Sequence, residues 1–138
     1  MTHTCFVDSW YFIAALDPFD SHHAAALRLD AKFIRRRRVV THDGVLSEVL
    51  THFSDEGSRA RQLVASAVRQ VIADHIVIPG TRELFERALD LYERRSDKAY
   101  SLVDCMSMVV MRDRGIEHVL TNDHHFRQEG FTVLADAP

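Results

Sequence analysis

Cys5-Phe6-Val7-Asp8-Ser9-Trp10-Tyr11-Phe12-Ile13-Ala14-Ala15-Leu16 is the stretch that decides the fold. Its first three residues are apolar without alternation, which reads as a strand buried on both faces and ending at Asp8. Ser9 to Leu16 then reads as a short helix, stopped by Asp17-Pro18. The same succession recurs along the chain. A helix over about Ser21 to Arg36 precedes a strand at Val39-Val40-Thr41. Two amphipathic helices follow, marked by Val45, Leu46, Val49, Leu50 and Phe53 and then by Leu63, Val64, Ala67, Val68, Val71 and Ile72. Ile76-Val77-Ile78 is a third strand, closed by Pro79-Gly80. A fifth helix carries Leu84, Phe85, Ala88, Leu89 and Tyr92. Leu102 to Met111 is apolar almost all round, so it must be a buried helix, ended by Gly115. His118-Val119-Leu120 and Phe131 to Leu134 complete the strands, with a short helix near His124 between them. Strands alternating with helices imply an α/β protein: a parallel sheet with helices on both faces. In such sheets the working site lies beyond the carboxyl ends of the strands.

The 138 residues suit one domain, and 46% apolar with 27% charged residues is an ordinary globular balance. A net charge of −3 marks neither a general nucleic-acid binder nor a membrane-surface protein. Fifteen of the 17 basic residues are Arg, a bias that favours forked contacts to phosphates. Cys5 and Cys105 lie in apolar runs and read as free, buried thiols of a reducing compartment. The opening residues lack the basic and apolar regions of a signal peptide, and no stretch reaches the ~20 apolar residues of a membrane span. The expectation is a soluble, cytoplasmic protein without a membrane partner.

Four carboxylates stand out by position. Asp8 follows the first strand and Asp123 the fourth, within Leu120-Thr121-Asn122-Asp123. Asp104 opens the buried helix and is the only charge between Leu102 and Met111. Glu48 lies on the flank of an apolar stripe. Each has an ordinary structural account as well. Asp8 and Asp123 suit helix caps, Ser101-x-x-Asp104 fits a capping box, and Glu48 suits a solvated surface. Together they say more, because carboxylates converging at one sheet edge repel unless cations join them. Oxygen ligands without thiolate or imidazole company suit Mg²⁺, with Mn²⁺ as a second choice. Such a cluster can activate water and stabilise a pentacovalent phosphate.

At these residues the chain resembles a known family. Phe6-Val7-Asp8-Ser9, Leu46-Ser47-Glu48-Val49, Ser101-Leu102-Val103-Asp104-Cys105 and Leu120-Thr121-Asn122-Asp123-His124-His125-Phe126 are similar, in order and spacing, to the acidic motifs of PIN-domain ribonucleases. Among them it looks most like the VapC-type toxins of bacterial toxin–antitoxin pairs. The resemblance implies a single PIN-like nuclease domain over residues 1–138 and Mg²⁺-dependent cleavage of RNA. It also implies dimerisation and inhibition by a small cognate antitoxin. Asp8 and Asp104 would be the chief metal ligands, with Glu48 and Asp123 completing the set directly or through water. Ser9 and Thr121 match hydroxyl residues that the family places beside the acids. Asp97 matches a further acid found in part of it, and equally suits a turn.

Other signals compete. Arg35-Arg36-Arg37-Arg38 is the one dense basic run, readable as an RNA-phosphate edge or as a solvated helix end. His22-His23 and His124-His125 lack the spacing of a zinc site, and there is neither a nucleophile elbow nor a Gly-rich phosphate loop. A housekeeping RNA-processing nuclease is the catalytic alternative to a toxin. A receiver-like domain would need paired acids after the first strand and a Lys near the last, and neither is present. A non-catalytic interaction module would not need four gathered carboxylates.

Overall fold

In the computed structural model, which describes residues 4–134, five strands form one parallel sheet. They are β1 (Thr4–Val7), β2 (Arg38–His42), β3 (Ile76–Ile78), β4 (His118–Leu120) and β5 (Thr132–Val133). Helices α1 (Ser9–Leu16) and α2 (His23–Lys32) lead from β1 to β2; α3 (Asp43–His52) and α4 (Ser58–Asp74) lead on to β3. The return runs through α5 (Arg82–Arg94), α6 (Leu102–Asp113) and, after β4, α7 (His125–Gln128). Cys5, Phe6 and Val7 are all fully buried. Successive strand residues face opposite sides, so both faces of the sheet are covered.

Strand order is β3-β2-β1-β4-β5. The chain steps outward from β1 to β3 and then returns to build on the other side of β1. Right-handed crossovers in the two directions lay their helices on opposite faces. The order reverses between β1 and β4, and there a crevice opens at the carboxyl ends. Phe6 pairs with Val119 and Val7 with Leu120, so Asp8 and Thr121 leave the sheet side by side.

The local structure follows the sequence closely. Helix α6 buries every residue from Cys105 to Met111. It stops where Gly115 takes a left-handed φ of 65° and the Ile116 N–H reaches back to the Met111 carbonyl. Cys5 and Cys105 are free and buried, and burial pushes each thiol up to about 11. Two boundaries differ from expectation. The helix expected over Ser21 to Arg36 ends at Lys32, and Ile34–Arg36 forms a separate 3-10 turn. Phe33 turns into the core there, with the Arg37 guanidinium 4.7 Å from its ring centre. The last strand is confined to Thr132–Val133, the two residues that pair with His118 and Val119 of β4.

Candidate active site

Asp8 is the N-cap of α1, its Oδ1 accepting the Ser9 N–H at 2.8 Å. Its second oxygen accepts the Thr121 hydroxyl at 2.8 Å, and Thr121 Oγ1 in turn accepts the Asp123 N–H at 3.0 Å. One buried hydroxyl thus joins the acid after β1 to the acid after β4. Asp104 forms the capping box of α6: Ser101 Oγ accepts the Asp104 N–H, and Asp104 Oδ2 accepts the Ser101 N–H, both at 3.0 Å. The capping and site accounts of Asp8 and Asp104 are therefore compatible. A cap fixes the rotamer, and a fixed rotamer aims the remaining lone pairs into the crevice.

The electrostatics tie Asp8, Glu48, Asp104 and Asp123 together. Burial, reinforced by Asp104 and Glu48, pushes Asp8 up to about 7, against the opposing hydrogen bonds from Thr121 and Ser9. Burial also raises Glu48, which Ser9 partly offsets by a hydrogen bond while Asp104 adds repulsion. Asp104 is raised by burial and by Asp123, with Ser101 and His125 opposing. Thr121 thus donates its hydroxyl to Asp8, while Ser9 donates its backbone N–H to Asp8 and hydrogen-bonds Glu48 through its side chain. The charged neighbours that shift these acids are the other carboxylates and, at Asp104, His125.

Three sequence expectations can be set against their positions in the structure. Imidazole company is present after all: Asp104, Asp123 and His125 each offer a ligand atom, all within 4.8 Å of one another. His125 Nδ1 is 3.0 Å from Asp123 Oδ1 and 3.8 Å from Asp104 Oδ2. A histidine pair shows no zinc spacing in sequence, and this ring joins the acids only because α7 starts two residues after Asp123. Its neighbour His124 is exposed, with Nδ1 2.9 Å from Arg127. Asp97 is exposed in the loop between α5 and α6, 3.7 Å from Lys98, and does not join the cluster. The run Arg35 to Arg38 lies at the amino end of β2, whereas the acids gather at the carboxyl end of the sheet. Five strand residues separate the two edges by roughly 13 Å. Within the run, Arg35 pairs with Asp30 at 2.9 Å.

A buried brace links the two helices that carry Glu48 and Asp104. His42 caps α3, its Nδ1 accepting the Gly44 N–H at 3.0 Å. Its Nε2–H donates to Ser107 Oγ at 2.8 Å, and the Ser107 hydroxyl donates to the Val103 carbonyl. Burial drives His42 down to about 4, so the ring is neutral. A Cβ on Gly44 would come 2.9 Å from the imidazole, which explains glycine at that helix start. Sequence reading passed over this histidine, since a lone His before a helix has no distinguishing mark.

The sequence profile of the PIN domain matches residues 5–131. The chain belongs to the PIN-domain family. Two strains of Mycobacterium tuberculosis (CDC 1551 / Oshkosh and ATCC 25618 / H37Rv) carry a relative described as the 23S rRNA-specific endonuclease VapC20. It is 31% identical over 132 residues, covering 94% of this chain and 96% of the relative. The crystal structure of Mycobacterium tuberculosis VapC20, described as a toxin that cleaves the sarcin–ricin loop, superposes with a TM-score of 0.82. The match is 32% identical and covers 93% of this chain and 96% of that one. Fold and family are therefore as the acidic motifs implied. Among the described residues no helix is long and apolar enough to cross a membrane.

Proposed function

We propose that this chain is a metal-dependent endoribonuclease and the toxin of a toxin–antitoxin pair, acting in the cytoplasm. The observation that carries the reading is the convergence of the buried Asp8 with the half-buried Glu48, Asp104 and Asp123, which repel one another. His125 offsets this repulsion only at Asp104, and Asp8 stays raised, a condition that a divalent cation relieves. The donor set fits one: carboxylate oxygens plus a ring nitrogen that is buried and has no hydrogen-bond partner. Asp8, Asp104 and Asp123 would hold a Mg²⁺ or Mn²⁺ ion, which when bound supplies a Lewis acid to the phosphodiester. Ser9 and Thr121 orient Asp8. Glu48, half-buried and raised, is the group suited to take a proton from the attacking water. Asp97, exposed beside Lys98, is left out of this proposed ligand set, and Arg35 to Arg38 would meet phosphates only well away from the cleaved bond.

The first substrate to try is 23S rRNA, the target of the relative, beside unstructured RNA. A homodimer and a small antitoxin complete the proposal. An inhibitor that presents an Arg or Lys to this negative crevice would replace the cation there. The test is cleavage by purified protein with Mg²⁺, Mn²⁺ or EDTA, together with growth on expression with and without the neighbouring small reading frame. Metal-dependent cleavage, growth arrest and rescue by the neighbour are expected. Cleavage by a chain that is harmless and binds no neighbour product would replace the toxin with a housekeeping nuclease. Full activity in EDTA would overturn the metal.

A further inference from the structure

We infer that His125 is a nitrogen ligand of this centre and tilts it toward Mn²⁺ over Mg²⁺; this rests on reading the acid cluster as a metal site. Four observations converge on the ring. First, ligand atoms about 2.1 Å from one ion stand roughly 3.0 to 4.2 Å apart, between right-angled and opposite placements. The separations of His125 Nδ1 from Asp123 Oδ1 and Asp104 Oδ2, 3.0 and 3.8 Å, both fall in that window. Second, Nδ1 is shielded from solvent yet makes no hydrogen bond. The nearby Asp123 Oδ1 instead accepts the backbone N–H of His125 itself, at 2.9 Å. Nδ1 thus lies at ion-pair distance from two carboxylates without an aligned hydrogen bond to either, an arrangement that a shared cation would complete.

Third, the ring is held in place from behind. Tyr100 meets it edge to face at 5.3 Å between centres, and the Tyr100 hydroxyl donates to Glu129 at 2.9 Å. Glu129 is itself fixed by Arg95 and Arg112, both at 2.8 Å. Partners behind a ligating imidazole commonly fix its orientation in metal sites. Fourth, the neighbouring His124 has its own partner in Arg127 and stays exposed, so the arrangement is particular to His125. Ligation through Nδ1 leaves the ring proton on Nε2. A neutral imidazole favours first-row transition ions, and Mn²⁺ among them still accepts carboxylates; Mg²⁺ prefers oxygen throughout.

The experiment titrates metal-free protein with Mn²⁺ and with Mg²⁺, read by calorimetry and by the electron paramagnetic resonance of Mn²⁺, without RNA. Wild type is compared with His125→Phe, which keeps a ring against Tyr100, with His125→Asn, which puts an oxygen near the Nδ1 position, and with Asp104→Asn. Loss of partners behind a ligand already costs about ten- to a hundredfold in affinity. His125→Phe should therefore weaken Mn²⁺ by at least roughly tenfold and Mg²⁺ by much less. His125→Asn should recover binding without the Mn²⁺ preference. Pulsed resonance of Mn²⁺ in the wild type should show nitrogen coupling that both histidine variants lack. Absence of that coupling in the wild type, or an unchanged Mn²⁺/Mg²⁺ ratio in His125→Phe, overturns the inference. If Asp104→Asn binds both ions as the wild type does, the metal-centre reading itself has failed. If it loses both while His125→Phe keeps the ratio, only the histidine is wrong.

Discussion

Asp8 and Glu129 are both carboxylates withdrawn from water, and the protein treats them in opposite ways. Around Glu129, burial alone would push the carboxyl up, but hydrogen bonds from Arg95, Arg112 and Tyr100 bring it down to about 2. Around Asp8, burial wins and the neighbours are further acids, so the carboxyl rises to about 7. One buried acid is satisfied by side chains and fastens α5, α6 and α7 together. The other is left with hydroxyl and amide donors that orient it without neutralising it. The first arrangement serves stability; on the proposed reading, the second leaves a carboxyl whose charged form a cation from outside would stabilise.

Substitution in the two regions should separate these roles sharply. Asp8→Asn keeps the size and the cap but removes the charge, and RNA cleavage should fall by roughly a hundredfold or more. Asp104→Asn should behave alike. Circular dichroism should show both variants folded, and full cleavage in a preparation free of host nuclease would sink the site. Glu129→Gln should do the reverse. Losing charge-assisted bonds to two arginines and a tyrosine should cost about 2 kcal/mol, a fall of roughly 6 to 8 °C in Tm. Metal-free Asp8→Asn, in contrast, should melt at or above the wild type. A Glu129→Gln protein as stable as the wild type would mean that the arginines gain as much from solvent as from the carboxylate.

The pH response sharpens the same contrast at smaller amplitude. Asp8 binds its proton more tightly folded than unfolded, so its contribution to stability is full below about 4 and is lost as pH rises through about 7. Glu129 binds its proton less tightly folded, so its contribution is present above about 4.5 and lost as pH falls toward about 2. His42 adds a term that disappears as pH drops from about 6.5 to about 4, overlapping the window of Asp8 with opposite sign. The informative quantity is therefore the difference between Asp8→Asn and wild type, in which His42 cancels. In metal-free protein that difference should grow from pH 4 to above pH 7 in favour of the variant. Added Mg²⁺ or Mn²⁺ should shrink it by raising the Tm of the wild type alone. A flat difference would show that Asp8 ionises freely without a cation.

The legibility of these features in the sequence follows from their physics. Strands such as Cys5–Val7 and Ile76–Ile78 were readable because residues buried on two faces must be apolar throughout. Helix α6 was readable because it is apolar all round, and that same property exposed Asp104 as an anomaly. The acids after β1 and β4 could be placed at the sheet edge because parallel topology sends strand ends to one side. His125, His42 and Glu129 were not readable. Each acquires its role from a partner far away in sequence: Asp104 and Tyr100, Ser107, and the pair Arg95 and Arg112. Local pattern carries no trace of such contacts. The arginine run is a different case. Its charge was plain, but the edge of the sheet it would occupy depended on where β2 begins.

The smallest expected effect lies at that opposite edge and turns the comparison from acid against acid to acid against base. Arg36 and Arg38 are exposed, whereas Arg35 is engaged by Asp30 and Arg37 stacks on Phe33. Roughly 13 Å of strand separates them from the acids, so a short RNA seated in the crevice would not reach them. A long structured RNA could touch both edges. Replacing Arg36 and Arg38 with Gln should leave cleavage of a short oligonucleotide unchanged. For a long RNA it should raise KM a few-fold and reduce the salt dependence of binding by about one unit of log–log slope for each phosphate no longer neutralised. The maximal rate should not move, since neither guanidinium is near the reacting phosphate. A loss of maximal rate on the short RNA would place the run within the active site despite its position. An unchanged salt slope on the long RNA would leave these arginines as solvated residues at the end of a helix and the start of a strand.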